Sequence, residues 1–168
     1  MIQMETTELE MNLGHIFVDE KLLERALTTN GWANEHNKDI PGSDRIQSQE
    51  AFCTLGDAVL KFILVDKLIN KGIEDSGIIT EKKKDAENRK TLSRISRKFD
   101  VGKFMKMGTG EKEHDKIYAN DDNLAETLEA LIGAIYLDVG FDATKKVIMK
   151  WPEFELLRPT KRTENKEV

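Results

Sequence analysis

The chain has 168 residues, 39% of them hydrophobic and 34% charged, with a formal net charge of −5. That length suits one domain with a sizeable core, and the composition is that of a helix-rich globular protein rather than a disordered or fibrous one. The negative balance excludes a chain that simply coats nucleic acid, and the single cysteine, Cys53, excludes an intrachain disulfide. No basic segment followed by an apolar run and a cleavage site opens the chain, and no apolar stretch is long enough to span a bilayer. The expected setting is therefore cytoplasmic, with no membrane partner.

In chain order, Asp19 is placed to cap a helix carrying Leu22, Leu23, Ala26 and Leu27. Residues 34 to 48, with Pro41, Gly42 and Ser43, read as a loop. In SQEAFCTLGDAVLKFILVDKLI the residues Phe52, Leu55, Val59, Leu60, Ile63, Leu64 and Leu68 recur at intervals of three and four, the pattern of a helix with one face in a core. Gly108 to Asp121 reads as a second loop, followed by a helix whose buried stripe is Leu124, Leu128, Leu131, Ile132 and Ile135. Asp142 is placed to cap another helix, carrying Ala143, Val147 and Ile148 and ended by Pro152. No strand pattern, internal repeat or second domain competes, so the expected fold class is all-α: one helical domain over residues 1–154 and a charged, mobile tail over 155–168.

Both long helices carry acids beside the apolar face. Glu50 and Asp57 are seven residues apart, about two turns, with Cys53 between them on the same line. Glu126 and Glu129, three apart, are neighbours on the second helix. If the helices pack side by side, four carboxylates converge. Such a cluster is costly unless a cation compensates it, and Mg2+ suits carboxylate and water oxygens. The plainer alternative is that these acids form the solvated rim of an apolar face. His15, His36 and His114 are scattered and give no zinc-ligand spacing.

Charge is unevenly distributed. Between Glu81 and Lys98 eight bases (Lys82, Lys83, Lys84, Arg89, Lys90, Arg94, Arg97, Lys98) face three acids (Glu81, Asp85, Glu87). Only Leu92, Ile95 and Phe99 provide apolar anchors there, so the segment is either a solvated helix face or a phosphate-tracking surface. Aromatic residues are not interleaved with the bases, which favours duplex backbone contact over stacking on a single strand.

These residues resemble a known family. TLGDAVL resembles the ribonuclease III signature ERLEFLGDAVL, and LAETLEALIGAIYLDVGF resembles its second motif, LADTVEALIGAIYLDGGF. LGHIFVDEKLLERALT resembles the opening helices, TLSRISRKFDVGKFMKMGTGE the approach to a Gly-x-Gly-Glu turn, and NGWANEHN a Ser-Tyr-x-Asn-Glu segment, so that the likeness covers roughly residues 12 to 151. The resemblance implies an all-helical, ribonuclease III-like endonuclease-domain bundle of archaeal or bacterial type, without the usual double-stranded-RNA-binding domain. It further implies a homodimer that binds double-stranded RNA and cuts it with Mg2+ (Mn2+ as the alternative), leaving 5′ phosphates and short 3′ overhangs. Position by position, Asp57 and Glu129 match the catalytic carboxylates, Glu126 stands where the family has an aspartate ligand, and Glu50 matches the first glutamate of the signature. Lys82, Lys83, Lys84, Arg89 and Lys90 are the candidate RNA contacts.

Two departures stand out. Cys53 occupies the place of the second signature glutamate, a usual metal ligand, and a soft thiol is a poor match for magnesium. Glu50, one turn further from Asp57, is the candidate substitute. Thr54 occupies the place of a phenylalanine that packs into the partner subunit, which weakens the expected dimer unless Phe52 compensates. Three functions follow as expectations. They are a metal-dependent double-stranded-RNA endonuclease, a catalytically weakened relative that binds duplex RNA or pairs with an active partner, and an unrelated helical nucleotide pyrophosphohydrolase using Glu-x-x-Glu pairs.

Overall fold

The computed structural model describes residues 2–113 and 120–155. His114 and the tail from residue 156 onward lie outside the described residues. The helices are α1 (Ile2–Leu13), α2 (Glu20–Ala26), α3 (Asn30–His36), α4 (Glu50–Asn70), α5 (Ser76–Glu87), α6 (Arg89–Lys98), α7 (Thr109–Glu113), α8 (Asp121–Ile148) and α9 (Pro152–Glu155). Among the described residues there is no strand, only an isolated bridge between Thr28 and Lys106. The all-α expectation holds.

Most helix starts are set by a side-chain oxygen taking one of the backbone N–H groups that a first turn leaves unpaired. Asp19 accepts from Lys21 N, Thr29 from Trp32 N, Asp75 from Ile78 N, Asn88 from Thr91 N and Asn120 from Asn123 N. Asn88 ends α5 and starts α6, which breaks the basic segment into two helices.

α8 is the pillar of the bundle. Leu124, Leu128, Leu131, Ile132 and Ile135 are buried, and so are Ala125, Ala130, Gly133 and Ala134, so the helix is covered on several sides. α4 lies along it with Phe52, Val59, Leu60, Ile63, Leu64 and Leu68 inward, and α6 adds Leu92, Ile95 and, just past its end, Phe99. Trp151 closes the bottom: its Nε1 donates to Leu13 O at 2.9 Å, tying α1 to the end of the described chain.

Four local expectations need correction. Helix α3 runs on to His36, inside the expected 34–48 loop, because the Thr29 cap and the stacked Trp32 and His36 rings, 3.8 Å apart, hold its short span. Helix α7 occupies part of the second loop. The helix expected from Asp142 is present and runs to Ile148, but the break that separates it from the first part of α8 falls at Gly140, whose φ of 79° and ψ of 179° only glycine adopts without strain. Pro152 stands at the first position of α9, where its missing N–H costs nothing, rather than only ending the helix before it.

Candidate active site

The acids meet where α4 crosses α8. The crossing is close because Gly56 carries no side chain: a β-carbon there would collide with the Glu129 carbonyl oxygen. Asp57 therefore flanks the contact on one helix and Glu129 on the other. One turn before Asp57, the thiol of Cys53 donates to Glu129 Oε2 at 3.1 Å. One turn after it, Lys61 Nζ donates to Asp57 Oδ2 at 2.7 Å.

The electrostatics follow from this crowding. Burial pushes the Glu129 carboxyl above its usual range, Asp57 and Glu126 push the same way, and the Cys53 bond and Lys61 work against them. Burial also raises Glu126, with Asp122, Glu50 and Glu111 adding to it and Arg89 opposing. The Cys53 thiol is driven up by burial and then by its bond to Glu129 and the charges of Glu129, Glu126 and Asp57. It is a neutral donor, not a thiolate.

Beside the crossing lies a polar recess of about 330 Å3 walled by Thr29, Asn30, Gln49, Glu50, Cys53, Thr54, Glu111, Asn123 and Glu126. Glu50 is exposed on its rim, on the Glu126 side rather than the Asp57 side. Two residues without an assigned role in the sequence hold the recess together. Gln49, buried at the start of α4, accepts from Thr127 Oγ1 at 3.0 Å, and its own N–H donates to Thr28 O at 2.8 Å. Glu111 accepts from Thr29 Oγ1, from Gly31 N at 3.3 Å and from Gly108 N at 2.7 Å, docking α7 onto the start of α3. Position after a Gly-x-Gly turn was the available signal for Glu111, and spacing of four from Asp57 was the signal for Lys61.

The carboxylates thus fall into two neighbouring groups, Asp57 with Glu129 and Glu126 with Glu50 and Glu111. Among the described residues no three side chains of His, Cys, Asp or Glu come together in an arrangement that would hold a metal ion. In donor chemistry the site fits a hard divalent cation: Asp57, Glu126 and Glu129 present carboxylate oxygens from two adjoining helices, and burial, with neighbouring acids adding to it, raises the two glutamates. Cys53 does not fit it.

On the basic segment, internal pairs engage several of the cations. Lys83 pairs with Glu87 at 3.1 Å, Arg89 with Asp122 at 2.7 Å, Arg97 with Asp121 and Lys98 with Glu153 at 2.7 Å. Among the described residues Lys82, Lys84, Lys90 and Arg94 have no such pair. Phe52, the candidate replacement for a dimer anchor, is instead buried in its own core with the Arg25 guanidinium 4.3 Å over its ring, whereas Thr54 is exposed.

A family profile described as Ribonuclease-III-like matches residues 19–152. The chain belongs to that family. The Ribonuclease 3 of Dehalococcoides mccartyi is 36% identical over 156 residues, covering 92% of this chain and 63% of that protein. That of Natranaerobius thermophilus is 36% identical over 145 residues, covering 84% and 59%. The chain therefore spans about 60% of the length of these curated relatives. A solved nuclease domain of ribonuclease III from Campylobacter jejuni, described as showing structural flexibility in a region involved in dimer formation, superposes with a TM-score of 0.75 at 27% identity, covering 91% of this chain and 98% of that one. A second structure of that nuclease domain gives the same TM-score at 28% identity. Family membership displaces the pyrophosphohydrolase reading.

Proposed function

We propose that this chain is a metal-dependent endoribonuclease of the ribonuclease III family that cuts double-stranded RNA, leaving 5′ phosphates and short 3′ overhangs. The observation that carries the proposal is the Gly56 contact, which seats Asp57 and Glu129 on either side of one helix crossing in the family's fold. Asp57, Glu126 and Glu129 would hold Mg2+, or Mn2+ in its place, with Glu50 on the rim of the recess that Glu126 lines. The chemistry such an ion supplies when bound is activation of a water nucleophile and neutralisation of charge on the phosphoryl oxygens.

The chain's own residues do the rest. Lys82, Lys84 and Lys90 meet backbone phosphates directly, while Lys83 and Arg89 act from within ion pairs with Glu87 and Asp122. Glu111 and Gln49 keep the recess in shape. An exposed line on α4, Thr54, Ala58, Phe62 and Ile69, with Phe62 packed against Phe141 at 4.9 Å between ring centroids, forms the self-association face. We take the dimer to be weak, because Thr54 is no aromatic anchor. No described helix is long and apolar enough to cross a membrane, and a cytoplasmic RNA-processing role suits the reading.

A second reading, a catalytically weakened relative that binds duplex RNA or works beside an active partner, is favoured by one observation: Cys53 spends a hydrogen bond on Glu129 where the family has a hard ligand. Cleavage of an end-labelled RNA duplex with Mg2+ separates the two. Products with short 3′ overhangs that disappear in Asp57→Asn support the nuclease; retained duplex binding without cleavage supports the second reading.

A further inference from the structure

Lys61 lies inside an acidic environment that none of the roles above accounts for. Its Nζ is 2.7 Å from Asp57 Oδ2, one turn away on α4. The carboxylates of Glu87 and Glu129 act on the same ammonium. Glu87 ends α5, next to α4, and is only half committed: Oε1 accepts from Lys83, whereas Oε2 is buried and has no hydrogen-bond partner. Asp57 is thus the lysine's hydrogen-bonded partner, with Glu87 of α5 and Glu129 of α8 contributing charge without a bond.

We infer that Lys61 is the resident counter-ion of the candidate metal site, whose charge, held on Asp57 Oδ2, opposes the binding of a divalent cation by that carboxylate. The inference rests on the nuclease reading above and says what regulates its metal demand. An ammonium hydrogen bond and a metal–oxygen bond compete for the lone pairs of a small carboxylate, and a second cation a few ångströms away repels an incoming one. The pair is open to solvent, with the Lys61 side chain 44% exposed and that of Asp57 38%, so the lysine tunes affinity rather than blocking the site. Lys61 is in this sense a positioning residue that acts through Asp57.

The test is calorimetric titration of Mg2+ into the full chain, free of RNA, so that the readout is binding and not turnover. Lys61→Met and Lys61→Gln are compared with wild type, with Lys38→Met, an exposed lysine elsewhere, as the control for loss of charge. The expected result is a roughly two- to fivefold tighter affinity in both Lys61 variants, none in Lys38→Met, and no effect of Lys61→Met once Asp57→Asn is present. Unchanged or weaker binding in the Lys61 variants, with Asp57→Asn still losing affinity, overturns the inference and leaves the metal site standing. Absence of Mg2+ binding in every protein overturns both.

Discussion

Gly56 of α4 and Gly133 of α8 face one another so closely that the two helices touch backbone to backbone. A β-carbon on Gly56 would stand 2.9 Å from Gly133 N, and one on Gly133 would stand 3.1 Å from Gly56 N. Neither backbone can move aside without disturbing the buried residues packed around it. Gly56→Ala is therefore expected to cost about 2–3 kcal/mol by forced overpacking. Urea denaturation checks this; a loss below about 0.5 kcal/mol, the range of ordinary surface changes, would contradict the crossing.

Asp138 offers a stability test away from the site. Its carboxylate, 2% exposed, accepts from His15 Nε2 at 2.8 Å, Val18 N at 3.0 Å and Asp19 N at 3.1 Å. Burial pushes the carboxyl up, but these bonds outweigh it and hold Asp138 below the usual carboxylate range. The folded state thus prefers the ionised form more strongly than the unfolded chain does. Its stabilisation is fully present above the unfolded pKa of about 3.9 and is lost as pH falls through the lower folded value. Asp138→Asn is expected to lose about 2 kcal/mol near neutrality and to flatten the acid limb of the melting-temperature profile. An unchanged limb would mean that the loop after α1 does not depend on this carboxylate.

The thiol of Cys53 is expected to be inert. Burial and the neighbouring acids raise it, so the nucleophilic thiolate is scarce at any working pH. Alkylation by iodoacetamide at pH 8 is expected to be at least about a hundredfold slower in the folded protein than in denaturant. Rapid labelling of the native chain would place the thiol elsewhere than against Glu129.

For the basic face, the internal pairs divide the cations into two classes. Substituting Lys82, Lys84 or Lys90 by alanine is expected to weaken duplex RNA binding and to reduce the salt dependence by about one unit of log–log slope for each lysine replaced. Lys83→Ala also exposes the partly orphaned Glu87 and is expected to cost stability as well. Filter binding from low to moderate salt reads the slopes. Equal slopes in wild type and in the Lys82, Lys84 and Lys90 variants would place the RNA on another face.

How far the fold could be read depended on how local its causes are. The α4 stripe, the α8 stripe and the Asp19 cap are written in spacing and in one capping side chain, and each appears where expected. α1 carries little periodicity of its own: only Leu9 and Leu13 anchor its described end, and their burial comes from partners far along the chain. α7 was hidden for the same reason, since the donors that hold Glu111 include Thr29 and Gly31, about eighty residues earlier. In the site, motif resemblance pointed to Asp57, Glu126 and Glu129, whereas the commitments of Cys53 to Glu129 and of Lys61 to Asp57 emerged only once the helices were packed. Phe52 shows the converse: the spacing of the α4 stripe placed it inward, and it is buried there rather than free for the interface role weighed for it beside Thr54.

The central claim is that the α4–α8 acids form a nuclease site short of one hard ligand at Cys53. The most direct measurement is the rate of RNA duplex cleavage against Mg2+ concentration for wild type, Cys53→Glu and Glu129→Gln. The expected result is cleavage that demands high Mg2+ in wild type, a shift to lower Mg2+ in Cys53→Glu, and none in Glu129→Gln. Cleavage by wild type that saturates at submillimolar Mg2+ and is unaffected by Cys53→Glu, or that survives Glu129→Gln, would contradict it.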